Sequence, residues 1–169
     1  MRILGIDPGT KKSGWAVWDT TKQLIVDMGI DKNSCVILII YNNRHCVDQV
    51  VIEEIRSYGK RVGNETFETC WWSGRFYEAA DTLYDGHTTM LPRLDAKIYL
   101  LGNAKATDAD VSSRIRQMYG EKGTKKNPGV FFGVKSHIWN ALAVIFAWMR
   151  KSEAGTFVMT PEISRQSEI

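Results

Sequence analysis

The 169-residue sequence contains few cysteines, no long apolar run and little excess charge, and each shortage excludes a class of protein. Cys35, Cys46 and Cys70 form no Cys-x-x-Cys pair and, being three, cannot all be paired within the chain. The apolar runs, such as residues 36–41, are far shorter than the roughly 20 residues of a membrane-spanning helix. The sequence shows no signal-peptide pattern either. We therefore expect a reduced, cytoplasmic protein without a membrane partner.

Charge and length narrow the choice further. The 22 lysines and arginines outnumber the 19 acidic residues, a mildly basic balance that permits a nucleic-acid partner without requiring one. Hydrophobic residues make up 44% and charged residues 24%, as in ordinary globular proteins. We predict one domain over residues 1–151, followed by a polar tail over residues 152–169.

The first third of the sequence has the pattern of an antiparallel meander. Residues 2–7, 14–19 and 24–30 are predicted strands, and a glycine-bearing turn, PGTKKS, joins the first two. Residues 50–52 are apolar without alternation, which is typical of a central strand covered on both faces. Joining such a strand in parallel requires a crossover, and this favours a helix over the ambiguous residues 34–45. The order predicts an α/β fold with a mixed sheet.

The rest of the sequence alternates helical and extended patterns. We predict a helix over residues 65–84, strands over 88–92 and 96–101, a helix over 108–119 capped by Asp108, a glycine- and lysine-rich loop over 120–133, and a largely buried helix over 136–150. Trp72, Phe76 and Ala80 fall on one stripe of the first of these helices, which is typical of a surface that faces the core.

The first candidate functional residue is Asp7, at the end of the first predicted strand. The segment IDPGT places its carboxylate beside the open backbone amides of a glycine turn, which suits a divalent cation or a phosphate. Taken alone, the segment also fits an aspartate that merely initiates a turn, since proline and glycine follow it.

A second acidic position follows the predicted central strand. Glu53 and Glu54 come directly after residues 50–52, and a buried strand gains nothing in packing from two carboxylates, because desolvating a charge is costly unless it is paired or binds metal. Neighbouring residues of a strand point to opposite faces, so only one of the two glutamates shares a face with Asp7. The residues alone leave that choice open. Two acid-tipped strands of one sheet are typical of a two-metal phosphodiesterase site.

Three segments, ILGIDPGTKKSGWAVWD, VVIEE and KSHIWNALAV, begin at residues 3, 50 and 135. They resemble the first, second and last motifs of the RuvC-type Holliday junction resolvases of the RNase H-like superfamily. SYG, VG, GRF and GTKKNPG, all within residues 57–129, resemble patterns of the RuvC-like proteins of phages and prophages. The resemblance runs from residue 3 to about residue 148. It implies an RNase H-like fold with a mixed five-stranded sheet flanked by helices.

The resemblance also implies a chemistry. It predicts a structure-selective endonuclease that resolves four-way DNA junctions and related branched DNA with two Mg²⁺ or Mn²⁺ ions per site. The first glutamate of the second motif is the ligand in this family, which points to Glu53 over Glu54. Asp7 would bridge the cations, Glu53 would hold one, and His137 with Asn140 would complete the other. These four are the predicted catalytic and metal-binding residues.

Position 140 departs from the family pattern. RuvC-type enzymes usually carry acids at both positions of the last motif, with histidine an accepted variant at the first. The neutral carbonyl of Asn140 should hold a cation less tightly than a carboxylate. Either the natural protein relies on Asp7, Glu53 and His137, or the chain is an Asp→Asn variant that traps a substrate. A further alternative is a junction-binding protein of the same fold with weakened or absent catalysis.

Basic residues adjoin each acidic motif in the sequence. The predicted DNA-binding residues are Lys11, Lys12, Arg56, Tyr58, Lys60, Arg61, Lys125, Lys126 and Lys135. Their clustering suits phosphate contacts around a metal site, and no base-reading motif accompanies them. The family resemblance implies a homodimer, since two equivalent strands of a junction require two active sites.

A rival interpretation is the sugar kinase and actin fold, because the segment Asp-Pro-Gly-Thr of this chain resembles the phosphate loop of that fold. That fold requires two such domains, for which 169 residues leave no room.

Overall fold

The computed structural model describes residues 1–59 and 61–157, and of residues 155–157 it describes only the backbone. Within this part of the chain the elements are β1 (Arg2–Asp7), β2 (Lys12–Asp19), β3 (Leu24–Lys32), α1 (Asn33–Asn43), β4 (Gln49–Glu54), α2 (Asn64–Leu83), β5 (Thr88–Pro92), α3 (Arg93–Leu101), α4 (Asp108–Tyr119) and α5 (His137–Phe157).

The strands form one sheet in the order β3-β2-β1-β4-β5. The first three strands are an antiparallel meander, whereas β4 pairs in parallel with β1 on one side and with β5 on the other. The parallel step from the meander to β4 passes through α1, as the crossover argument requires. The predicted mixed five-stranded sheet with flanking helices is therefore confirmed.

The two faces of the sheet bury two separate apolar clusters. Alternate residues of each strand point to opposite faces, so Leu4 and Ile6 of β1 face α1 and α2, while Ile3 faces α5. In β4, Val50 and Ile52 likewise belong to the α1/α2 cluster and Val51 to the α5 cluster. The same alternation assigns Asp7 and Glu53 to the α5 face and Glu54 to the other.

Close approach of α5 to the sheet depends on two glycines. A Cβ atom on Gly5 would overlap the carbonyl oxygen of Ala141, and one on Gly14 would overlap the backbone of His137. Both glycines therefore let the N-terminal part of α5 lie directly against β1 and β2.

Three local predictions are wrong or differ at their ends. Residues 96–101, predicted as a strand, belong to α3, because Ala96 and Leu100 are four apart and both pack into the α5 cluster. Thr107, not Asp108, caps α4: its side chain accepts from the Asp110 amide, and Asp110 bonds back to Thr107. Helix α5 continues to Phe157, seven residues beyond the predicted end. The predicted domain boundary at residue 151 stays a prediction, and residues 158–169 of the tail lie outside the described residues.

The structure bears on two features of the composition, the cysteines and the apolar segments. The three cysteines are free and exposed, and they lie in the described part of the chain. Across residues 1–59 and 61–157, no helix combines the length and the apolar character that a bilayer crossing requires.

Candidate active site

Two carboxylates lie side by side at the carboxyl ends of β1 and β4. Ile6 is paired with Ile52 in the parallel register, so the next residues along the two strands, Asp7 and Glu53, are neighbours on the α5 face. Asp7 is 4% and Glu53 6% exposed. Glu54 instead forms an ion pair with Arg56, at 2.7 Å between Oε1 and Nε. The alternation of the strand thus makes the choice that the residues alone left open, and it agrees with the choice that the resemblance predicted.

The first turn of α5 adds two side chains to this pair of acids. Nδ1 of His137 lies 2.7 Å from Oδ2 of Asp7, and Nδ2 of Asn140 donates to the same oxygen at 3.0 Å. The two residues are three apart on the helix and therefore share a face. The His137 side chain is 51% exposed, so it borders both the buried acid and the solvent.

A hydrogen-bond network fixes the turn that follows Asp7. The buried hydroxyl of Ser13 donates to Asn33 Oδ1 at 2.7 Å and accepts from the Gly9 amide at 3.1 Å. The side-chain amide of Asn33 donates to the Gly9 carbonyl at 2.8 Å. Ser13 and Asn33 are both buried, and their bonds join β2 and α1 to the turn. Asp7 is consequently held from the backbone side as well.

Burial dominates the electrostatics of Glu53. Desolvation and the adjacent charge of Asp7 raise the pKa of Glu53 to about 7, against the opposing attraction of Arg93. An ionised Glu53 beside Asp7 is therefore costly in the protein alone. A divalent cation between the two carboxylates would remove that cost, because it compensates both charges at once.

Arg93, which the sequence analysis missed, completes the site. It is the first residue of α3, directly after β5, and its Nη1 lies 3.3 Å and 3.4 Å from the two carboxylate oxygens of Glu53. Its Nη2 donates to Asp108 Oδ2 at 2.5 Å and to Asn140 Oδ1 at 3.4 Å. A signal was present: β5 is parallel to β4, so its carboxyl end opens at the same edge of the sheet as Glu53.

The oxygen donors of the site fit a hard divalent cation. Mg²⁺ and Mn²⁺ prefer carboxylate oxygens, and Asp7 and Glu53 present theirs next to each other with His137 at the rim. Within the described residues, no group of three or more His, Cys, Asp or Glu side chains is gathered closely enough to hold a metal ion. The guanidinium of Arg93 stands instead against Glu53, on the side of Asn140 and Asp108.

The described members of the predicted DNA-binding set lie at the surface, Lys12 as the first residue of β2 and the others in loops. Exposed positions are occupied by Lys11, Lys12, Arg56, Tyr58, Arg61, Lys125, Lys126 and Lys135. The hydroxyl of Tyr58 accepts from the Leu94 amide at 3.4 Å, which brings it beside Arg93 at the start of α3. Arg56 is engaged by Glu54, as described above. Lys60 lies outside the described residues.

A meander followed by parallel strands, with helices on both faces of the sheet, is the architecture of an RNase H-like fold. No protein-family model and no curated protein matches the chain.

Among solved structures, the chain is similar to RuvC of Thermus thermophilus. The identity is 18% and the TM-score 0.69, over 92% of this chain and 98% of that one. The same RuvC in complex with a Holliday junction substrate matches at 19% identity and a TM-score of 0.66, over 92% and 97% of the two chains. At this identity the similarity shows the fold, which is that of RuvC. The predicted closeness to phage proteins stays a prediction.

Proposed function

We propose that the protein is a metal-dependent DNA endonuclease that resolves four-way junctions and related branched DNA. The observation that carries the proposal is the pair of buried carboxylates, Asp7 and Glu53, adjacent at the ends of two parallel strands. Burial of two acids is costly and has no benefit for packing, so it favours a cation as their partner. The RuvC fold, solved elsewhere with a Holliday junction substrate, supports the choice of branched DNA.

Mg²⁺ or Mn²⁺ is the cofactor that we propose for this site. When bound, such cations activate water and stabilise the charge that develops on the phosphate and on the leaving oxygen. In hydrolysis the water oxygen bonds to phosphorus and the bond to the 3′-oxygen breaks, which leaves 5′-phosphate and 3′-hydroxyl ends. Asp7 and Glu53 hold the cofactor in this scheme.

His137 suits a role in proton transfer or phosphate contact. If its Nδ1 donates to Asp7, the imidazole presents its other nitrogen as an acceptor, able to take a proton from the attacking water. Its half-exposed position at the rim of the site supports contact with DNA. The two-cation form predicted from the sequence assigns His137 and Asn140 to a second ion.

The basic loops and a second protomer would hold the junction. Lys11, Lys12 and Lys135 adjoin Asp7 and His137 in the sequence, and they are exposed for phosphate contacts. We further propose a homodimer, because resolution of a junction requires two cuts. The exposed aromatics Phe67 and Trp71 of α2, 63% and 78% exposed, offer an apolar surface for the second copy. Sedimentation of the protein tests the dimer directly.

The proposed function is tested by cleavage of a synthetic four-way junction in Mg²⁺. We expect paired nicks with the wild type and none with Asp7→Asn, while Glu54→Gln, on the opposite face, should cut normally. Junction binding without cleavage by the wild type would contradict the endonuclease. Equal cleavage of linear duplex would contradict the selectivity for branched DNA.

One observation favours a second candidate, a junction-binding protein with weakened catalysis. Asn140 replaces the usual acid, and Arg93 contacts both it and Glu53. If the wild type binds junctions but does not cut, Asn140→Asp distinguishes the cases. Restored cleavage would identify a trapped variant, and continued inactivity would favour the binding protein.

A further inference from the structure

The strongest unassigned feature of the molecule is the guanidinium of Arg93. It contacts two acids and one amide, which belong to β4, α4 and α5: Glu53 at 3.3 Å, Asp108 at 2.5 Å and Asn140 at 3.4 Å. The Arg93 side chain is 35% exposed, while that of Glu53 is 7% exposed. The guanidinium of Arg93, which is always charged, thus lies against the buried Glu53, and the partly exposed Arg93 side chain also reaches the solvent.

Asn140 links this guanidinium to Asp7. Its Oδ1 accepts from Arg93, and its Nδ2 donates to Asp7 Oδ2 at 3.0 Å, so both ends of the amide are used. An aspartate at this position would bring a second carboxylate oxygen to about that distance from Asp7, with no proton between them. Such a pair requires a shared proton or a cation, and two-metal sites supply the cation. The amide of Asn140 therefore suits a site in which no second ion binds there.

Neighbouring elements hold Arg93 in place. Asp108, in the first turn of α4, pairs with it and also lies 3.7 Å from Lys97 Nζ, so α3 and α4 are joined across this contact. Pro92, extended at the end of β5, directs the chain into α3 with Arg93 as its first residue. The charge is therefore held by secondary structure, which gives a fixed electrostatic group rather than a mobile one.

We propose that Arg93 takes the place of the second divalent cation, so that the site holds one cation, at Asp7 and Glu53, and the guanidinium contacts the scissile phosphate. Guanidinium presents five donors in a planar fork that matches phosphate oxygens, and it bears its charge without a cofactor. Arginine stabilises transferred phosphoryl groups in this way in other enzymes. The inference rests on the proposed function, since it concerns the cations of that site.

Counting bound Mn²⁺ tests the inference without DNA. Metal-free full-length protein is titrated with Mn²⁺, and free ion is measured by electron paramagnetic resonance. We expect one ion per protomer in the wild type and in Arg93→Lys, which keeps the charge. We expect two in the double variant Arg93→Ala/Asn140→Asp, which removes the charge and restores the acid. Two ions in the wild type, or one in the double variant with intact circular dichroism, would overturn the inference.

Cleavage kinetics give an independent readout. Arg93→Ala should lower the single-turnover rate roughly 100-fold or more while it still binds one Mn²⁺, since loss of one fixed electrostatic donor costs about that much. The matched control is Arg2→Ala, which removes an arginine paired with Asp19 at the opposite end of β1 and should cut normally. A normal rate for Arg93→Ala would contradict the phosphate contact.

The two proposals fail differently. A wild type that binds no Mn²⁺ would contradict the proposed function together with the inference. A wild type that binds two ions and cuts junctions would overturn only the role of Arg93.

Discussion

Two adjacent residues at the end of β4 show how differently the two faces of the sheet treat a carboxylate. Glu53, on the α5 face, is buried beside Asp7, and its pKa is raised to about 7. Glu54, on the α1/α2 face, is partly exposed and pairs with Arg56 at the surface. The residue types are identical, so the difference comes from what covers each face.

The comparison extends to how each face is packed. On the α5 face, Gly5 and Gly14 admit a helix whose first turn brings His137 and Asn140 to Asp7. On the other face, α1 and α2 cover Leu4, Ile6 and Ile52 with an apolar cluster that includes Phe76. The α5 face carries buried charge beside its core, whereas the α1/α2 face is ordinary apolar packing. Both faces therefore contribute apolar packing, and the α5 face adds the candidate site.

The largest difference between the two faces is expected in the rate of junction cleavage when each glutamate is replaced by glutamine. Glu53→Gln should lower the rate of junction cleavage about 1,000-fold, because it removes a proposed metal ligand worth several kcal/mol. Glu54→Gln is the matched control and should change the rate less than about 3-fold, since only an exposed ion pair is lost. Comparable losses in the two variants would mean that the faces do not differ in function.

A second test concerns packing against the sheet. Gly5→Ala places a methyl group on the Ala141 carbonyl oxygen and should lower the free energy of unfolding by about 3 kcal/mol. Its control is Gly74→Ala in α2, where an added Cβ has nothing within 4 Å and should stabilise the helix by about 0.5–1 kcal/mol. Urea denaturation measures both. A Gly5→Ala protein as stable as the wild type would show that α5 does not press on β1.

The raised pKa of Glu53 predicts a dependence of stability on pH. The pKa is raised from 4.5 in the unfolded chain to about 7 in the folded protein, so the folded state binds the proton more tightly. The contribution of protonated Glu53 to the free energy of unfolding is fully present below pH 4.5 and is lost as the pH rises through about 7. In metal-free protein, Glu53→Gln should therefore stabilise by about 2 kcal/mol at pH 8 and by much less at pH 5.

Thermal denaturation in chelator at the two pH values measures this effect. Added Mg²⁺ should reverse it, because the cation stabilises the wild type through the ionised carboxylate. A stabilisation that is equal at both pH values would contradict titration of Glu53 as its cause.

The smallest expected effect comes from the loop that leads into α5. Lys126→Ala should weaken junction binding about 3-fold and reduce the salt dependence by about one phosphate contact. Lys22→Ala, in the turn after β2, is the matched control and should leave both unchanged. A binding titration at several salt concentrations separates them. Equal effects of the two variants would mean that binding follows total charge and not this surface.

Much of the fold could be predicted because its signals are local. The meander from β1 to β3 and helices α2 and α4 follow from alternation, periodicity and turn residues within each segment. Residues 96–101 were predicted wrongly because a short apolar segment fits a strand or a helix equally well. Only packing of Ala96 and Leu100 on α5 decides between them.

Only those residues of the candidate site that lie in a recognisable motif could be predicted from the sequence. Asp7, Glu53, His137 and Asn140 were identified by resemblance, and the structure brings them together. Arg93 has no motif of its own, and its partners Glu53 and Asp108 are 40 and 15 residues away in the sequence. Asp108 was predicted to cap α4, a role that Thr107 has in the structure. The contact of Asp108 with Arg93 is tertiary, so no local pattern predicted it.

The sequence by itself determined most of the strands and helices, and that acids end the first strand and the central strand. It did so because hydrophobic periodicity and turn chemistry act over neighbouring residues. The tertiary structure places Glu53, the glutamate that the resemblance selected, on the same face as Asp7, and it alone shows that Arg93 reaches both Glu53 and Asn140. Those contacts depend on strand register and on how closely α5 approaches the sheet, which are properties of the packed molecule and not of any one segment.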